Sequence, residues 1–202
     1  MLYSSATGSG GSIYASGVGA LTFQDTNVTN SSADENGGGI FRSSYALQQD
    51  KVVLSRCRFL HCSAGSGGGG AAGVAGQITV DVEDSTFENC VAGSAGGALE
   101  IASDTTADAP PAMSFITSST FHSCKAAEKG GALALLGAWT SISDTDFANC
   151  EVIAPAPERV CMELTMKTTI PESMWYDKMM VLRPSLSSSS SYFLRQPNDN
   201  SS

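Results

Sequence analysis

The chain has 202 residues, with 11 Lys and Arg against 20 Asp and Glu, a net charge of −9 and a charged fraction of only 15%. That balance leaves no basic face for nucleic acid or for an anionic membrane surface. The 21 Gly and the abundant Ser favour turns and short strands over long helices, since Gly costs about 1 kcal/mol in a helix interior. No apolar run approaches the roughly 20 residues of a membrane-spanning helix. The opening "MLYSSATGSGG" has neither the basic stretch nor the apolar core of a signal peptide.

In chain order, the first segment reads as the end of a repeat. Ala6, Gly10-Gly11 and Ile13 fit a frame whose aromatic anchor would stand at position 1, so the chain is expected to begin mid-repeat, as a fragment of a longer repeat protein. Five copies follow, anchored on Val28, Phe59, Phe87, Phe121 and Phe147. Three positions after each anchor come Ser31, Cys62, Cys90, Cys124 and Cys150; five after come Ala33, Ala64, Ala92, Ala126 and Val152. Glycine pairs follow at Gly37-Gly38, Gly68-Gly69, Gly96-Gly97 and Gly130-Gly131, then Ile40, Ala71, Leu99 and Leu133. Five positions before the anchors stand Phe23, Leu54, Val82, Ile116 and Ile142, all apolar.

Successive anchors lie 31, 28, 34 and 26 residues apart. On this reading the frame keeps its length until the last copy, and all variation falls between one glycine pair and the next strand. The longest insertion, "ASDTTADAPPAM" (102–113), has the Pro pair of a loop. After Val152 the frame is lost. Residues 155–202 gather Pro and Met and the run "SLSSSSSY", and read as a divergent cap or disordered tail.

The repeat predicts strands. Ile78, Val80 and Val82 alternate with Thr79, Asp81 and Glu83, and Leu99 and Ile101 flank Glu100, the period of a half-buried strand. The glycine pair marks a corner where φ is positive or a side chain would clash. Asp25, Asp84 and Asp144 suit a second turn. Strands this short pair only with their equivalents in the next copy, at about 4.8 Å. The expected fold is all-β, a parallel β-helix of about five coils over 1–154. A helical repeat fails because no copy has ten Gly-free residues with apolar spacing of three and four.

"GGGI" (37–40) and "GGAL" (96–99, 130–133), alternating with "FLHC" (59–62), "FENC" (87–90), "FHSC" (121–124) and "FANC" (147–150), resemble the GGA[ILV] and F-x-x-N phrases of the polymorphic outer-membrane protein repeats. The resemblance covers about residues 1–152. It implies a right-handed parallel β-helix of the pectin-lyase-like type, secreted or on a cell surface, acting as a structural or adhesive module on a surface protein or glycan. The Cys in place of the second phrase's Asn departs from that pattern, and no β-barrel translocator follows. A polysaccharide lyase or glycoside hydrolase on the same fold is the alternative.

The candidate residues read as follows. Cys62, Cys90, Cys124 and Cys150 are expected to stack as reduced, buried thiols. Disulfides between neighbouring coils are the alternative, because ~4.8 Å suits the Cα separation but not parallel Cβ vectors. Metal is disfavoured, since there is no C-x₂-C pair and His61 and His122 lie in different coils. Cys57 and Cys161 stand off the row and are expected to be accessible. Phe59, Phe87, Phe121 and Phe147, with Gly96, Gly97, Gly130 and Gly131, are structural. Asp25, Asp84 and Asp144 would be two coils apart, about 9.6 Å, near the limit for an inverting glycosidase pair. No second acid row accompanies them, which favours turn formation. "GSGGGGAAGVAG" (65–76) lacks the Lys-Ser/Thr of a P-loop and reads as a flexible corner. "NVT", "NSS" and a terminal "NSS" at Asn27, Asn30 and Asn200 match the glycosylation acceptor, Asn27 facing outward and Asn30 at a corner. No catalytic residue, cofactor or metal is expected.

Overall fold

The computed structural model describes residues 4–17, 19–44, 50–103 and 113–153, and the backbone of three short strands after them. The chain winds as a parallel β-solenoid of about five coils, all-β, with no helix among the described residues. Each coil lays one strand on each of four faces. Sheet I holds Ala20–Gln24, Asp50–Ser55, Ile78–Glu83, Met113–Thr117 and Trp139–Ser143. Sheet II holds Asn27–Thr29, Arg58–Leu60, Thr86–Glu88, Thr120–His122 and Asp146–Ala148. Sheet III runs from Ser4–Ala6 through Ser31–Ala33, Ser63–Ala64, Val91–Ala92 and Lys125–Ala126 to Glu151–Val152. Sheet IV takes Ile13–Ser16, Ile40–Ser44, Ala72–Gly76, Leu99–Ala102 and Leu133–Leu136.

Pairing is parallel and in register, so like stacks on like. Phe59 is the partner of Val28 and Phe87, and Phe121 of Phe87 and Phe147. The phenylalanine rings stack nearly face to face, with centroids 5.0, 4.7 and 4.9 Å apart and interplanar angles of 2, 4 and 10°. These separations match the spacing of paired strands. The backbone repeat therefore sets the ring geometry, not a preference of the rings, which would favour an offset or edge-on contact. Alternation places Ile78, Val80 and Val82 in the core at 0–1% exposure, while Thr79 and Asp81 face outward.

Three kinds of corner turn the chain. Before and after sheet II, one residue per coil takes a left-handed conformation: Asp25, Arg56, Asp84, Ser118 and Asp144, then Asn30, His61, Asn89, Ser123 and Asn149, with φ between 48 and 55°. Short polar side chains tolerate this region best. The third corner is the glycine pair, and its members differ in role. Gly96 has φ of 62°. A Cβ on Gly97 would overlap the carbonyl oxygen of Gly131 in the next coil, so the second glycine is required by close approach.

One expectation is corrected. The second copy is a residue longer, so its turning pair is Gly69-Gly70, and Ala72, not Ala71, pairs with Ile40 and Leu99. The extra residue is absorbed between Ala64 and Gly69, where Gly93 N–H donates to Ala64 but Ser94 N–H donates to Gly67. A run of glycines and alanines cannot reveal such a slip in sequence, because both alignments place a glycine at the turn. The same run is not wholly a flexible corner either, since Ala72–Gly76 is a strand.

After Val152, Met162–Thr165 pairs parallel with Leu133–Leu136, and Met180–Val181 and Phe193–Leu194 extend sheet IV antiparallel. The rest of the expected cap or tail, and the Pro-bearing insertion at 104–112, lie outside the described residues.

Two measurements check this architecture. Deleting Ser66 leaves the urea midpoint close to that of the parent, because that coil carries slack, whereas deleting Gly97 breaks the register and lowers it sharply. Phe87→Ala lowers the unfolding free energy by about 3–5 kcal/mol.

Candidate functional site

The thiols stand at the second corner. Each follows a left-handed residue and turns inward: Cys62, Cys90 and Cys124 are fully buried and Cys150 is 5% exposed. Each Sγ lies within hydrogen-bonding reach of two carbonyl oxygens, its own coil's two residues back and the preceding coil's anchor. Cys90 reaches Glu88 and Phe59 at 3.5 and 3.8 Å, and Cys124 reaches His122 and Phe87 at 3.4 and 3.6 Å. Cys150 repeats the arrangement on Ala148 and Phe121. The five described cysteines are free of disulfides. Neighbouring thiols interact along the row, and hydrogen bonding with Cys124 and Cys62, reinforced by burial, pushes Cys90 well above the ordinary thiol range. Below Cys62 the row continues as Ser31, whose hydroxyl meets that of Ser12.

The first corner is built alike, which the sequence reading missed. Thr26, Cys57, Ser85, Ser119 and Thr145 follow its left-handed residues. Ser85 Oγ donates to Glu83 and Leu54 at 2.9 and 3.2 Å, and accepts the amide of Cys57 at 3.0 Å. Ser119 Oγ accepts the amide of Ser85 in turn. Cys57 belongs to this column. It is 2% exposed, its Sγ bonds to Ser55 and Phe23, and burial pushes its pKa up, so the expectation that it is accessible is overturned. Comparing the residues two before each anchor would have shown an unbroken small hydroxyl-or-thiol set. Cys161 lies outside the described residues.

The aspartates Asp25, Asp84 and Asp144 occupy the left-handed corner itself and are exposed, with Arg56 and Ser118 between. Arg56 forks onto Asp25 at 2.7 and 2.9 Å and holds its carboxyl below the usual range, chiefly through that hydrogen bond. His61 is an exposed corner residue, and His122 faces outward from sheet II beside Asn149 at 3.2 Å. Asn27 is exposed and Asn30 sits at the corner with φ of 53°, while Asn200 lies outside the described residues. Among the described residues, no three His, Cys, Asp or Glu side chains converge as a metal site.

The core also contains an ion pair. Arg42 takes the inward position held by Val74, Ile101 and Leu135 in later coils, and Asp50 takes that of Ile78. Arg42 Nη2 lies 3.2 Å from Asp50 Oδ2 and donates to the carbonyls of Gly17 and Gly19, while Gly19 N–H donates to Asp50 Oδ1 at 2.6 Å. Burial alone would raise the Asp50 pKa. Hydrogen bonds from Ser44 and Gly19 and the charge of Arg42 outweigh it, and the carboxyl lies below its usual range. Extending the repeat frame two residues past Ile40 would have exposed Arg42 as the odd member.

Outward faces carry mixed rows. On sheet I, Lys51, Thr79, Met113 and Trp139 form one row, and Thr22, Val53, Asp81, Phe115 and Ser141 the next. Lys51 Nζ pairs with Asp81 at 2.6 Å. Met113 and Phe115 are 50% and 40% exposed, and Trp139 is half-buried beside Met113. No helix among the described residues is long and apolar enough to cross a membrane. Comparison of the chain with protein families, curated proteins and solved structures finds no match.

Two outcomes follow from these contacts. Cys57→Ser leaves stability within about 1 kcal/mol, since serine already fills that corner, whereas Cys57→Val strands polar backbone and costs about 1–3 kcal/mol in urea unfolding. Asp50→Asn leaves the Arg42 charge uncompensated and costs about 3 kcal/mol. Because the folded pKa of Asp50 is depressed, its contribution is full above the unfolded value of about 3.9 and fades as pH falls through the folded pKa. The loss caused by Asp50→Asn should therefore shrink in acid.

Proposed function

We propose that this chain is a binding module of the polymorphic outer-membrane protein repeat type, a right-handed β-helix on a secreted or cell-surface protein. Its role is adhesive, toward a surface protein or glycan, and the outward face of sheet I is its contact surface. The observation that carries this reading is the pair Met113 and Phe115, side chains of 50% and 40% exposure on an otherwise polar strand face. Parallel sheets ordinarily have both faces covered. Contiguous apolar side chains left in water beside charged and hydroxyl groups favour an interaction surface. The chain passes from sheet IV to sheet I between Ser44 and Asp50 and between Ala102 and Met113, stretches where the coils differ in length, and repeat proteins often bind on the face where insertions fall.

The carbohydrate-active alternative draws less support. Asp25 is held by Arg56, and the three aspartates serve as turn residues.

The test is binding to arrayed glycans and to cell-surface extracts, with Met113→Ser/Phe115→Ser as the contrast. The double variant should keep its melting midpoint and lose at least about tenfold in affinity, the scale of one or two lost apolar contacts. Turnover of uronic-acid polymers that Asp84→Asn abolishes would replace this reading with the enzymatic one.

A further inference from the structure

The thiol row raises a question separate from the surface reading. Its cysteines occupy the equivalent corner of successive coils, each Sγ meeting the anchor carbonyl of the coil before, and no three ligands converge among the described residues. The described residues therefore offer no tetrahedral zinc site at this row. A two-coordinate site requires only two sulfurs facing each other across one coil spacing.

That spacing is measured beside the row, where the phenylalanine rings lie 5.0, 4.7 and 4.9 Å apart. A metal–thiolate bond is roughly 2.3 Å, taking zinc as the reference, so a linear sulfur–metal–sulfur unit spans about 4.6 Å. The match is within a few tenths of an ångström. A disulfide, by contrast, needs Cβ atoms about 3.8 Å apart and would pinch two coils together. Thiolate sulfur is the soft ligand that selects copper(I). We propose that the row is a binding site for soft, two-coordinate monovalent cations, copper(I) and silver(I). They would sit between Cys62 and Cys90 and between Cys124 and Cys150.

The charge balance suits a buried place. One thiol of each pair loses its proton to solvent and bonds the cation as thiolate. The second sulfur adds a lone pair while keeping its proton, so the bound unit is neutral and the metal keeps its oxidation state. A neutral unit avoids the cost of an isolated charge in an apolar core. Cys62 and Cys90 are fully buried, whereas Cys150 is 5% exposed, so loading begins from the Cys150 end and is slow.

The experiment uses the full reduced chain with Cys57→Ser and Cys161→Ser, which removes the other thiols. Silver nitrate is added in chloride-free buffer for several hours. The expected result is two silver ions per chain by native mass spectrometry, one proton released per ion, and a melting midpoint several degrees higher, because the ligand binds the folded state. X-ray absorption should show two sulfur neighbours per silver. Adding Cys90→Ser and Cys124→Ser should abolish the stoichiometric binding and the shift. Serine is compatible with this corner, since Ser31 occupies it one coil earlier. A midpoint that stays or falls, an unchanged shift in the quadruple variant, or three or more sulfur neighbours would overturn the proposal. The absorption result on the parent decides the matter even if the quadruple variant fails to fold.

Discussion

Each coil of this solenoid must place its equivalent positions in register with those of the coil beneath it. Parallel, in-register pairing at one coil spacing imposes that condition, and the rest of the structure depends on it. The phenylalanines stack face to face because their backbones leave them no other separation. Backbone groups at the corners are satisfied the same way, each amide reaching a carbonyl one coil away, as Asn89 does to His122 and Ser123 to Ala148. An insertion inside a strand would shift every row above it. Length variation is therefore confined to corners, including the single extra residue between Ala64 and Gly69.

The two corners around sheet II solve one problem twice. A left-handed residue reverses the chain direction, and the next residue, small and polar, bonds back to the carbonyl two positions earlier and to the coil before. Ser85 and Cys90 are the two versions. The thiol is the larger and less polar group; it prevails at the corner that follows the phenylalanine stack, and Cys57 carries it once at the other. Glycine takes the left-handed position at the third corner, where no hydroxyl or thiol follows it. Its two positions at the third corner are set by a positive φ and by the carbonyl of the adjoining coil.

Arg42 and Asp50 break the apolar rule in one coil, at the end where the glycines at 17 and 19 turn carbonyls toward them. The pair satisfies that corner but carries a desolvation cost, so its integrity matters more than its net worth. The outward faces are under no such stacking constraint. There the residues vary from coil to coil, which lets sheet I gather Met113, Phe115 and the Lys51–Asp81 pair on one surface.

The sequence by itself determined the fold class, the coil number and most of the inward rows, because period-two alternation and a recurring anchor are local and repeat at fixed phase. It also identified the Asp25, Asp84 and Asp144 row as turn residues, since Asp tolerates the left-handed region. The tertiary structure alone decided three matters. Gly69-Gly70 is the turning pair of the second coil, because only pairing with Ile40 and Leu99 distinguishes neighbouring glycines. Cys57 is buried, because its company is a column of serines and threonines contributed by other coils. Arg42 and Asp50 meet across a corner although a charged residue in sequence ordinarily reads as surface. In each case the deciding contact joins residues that only the winding of the chain brings together.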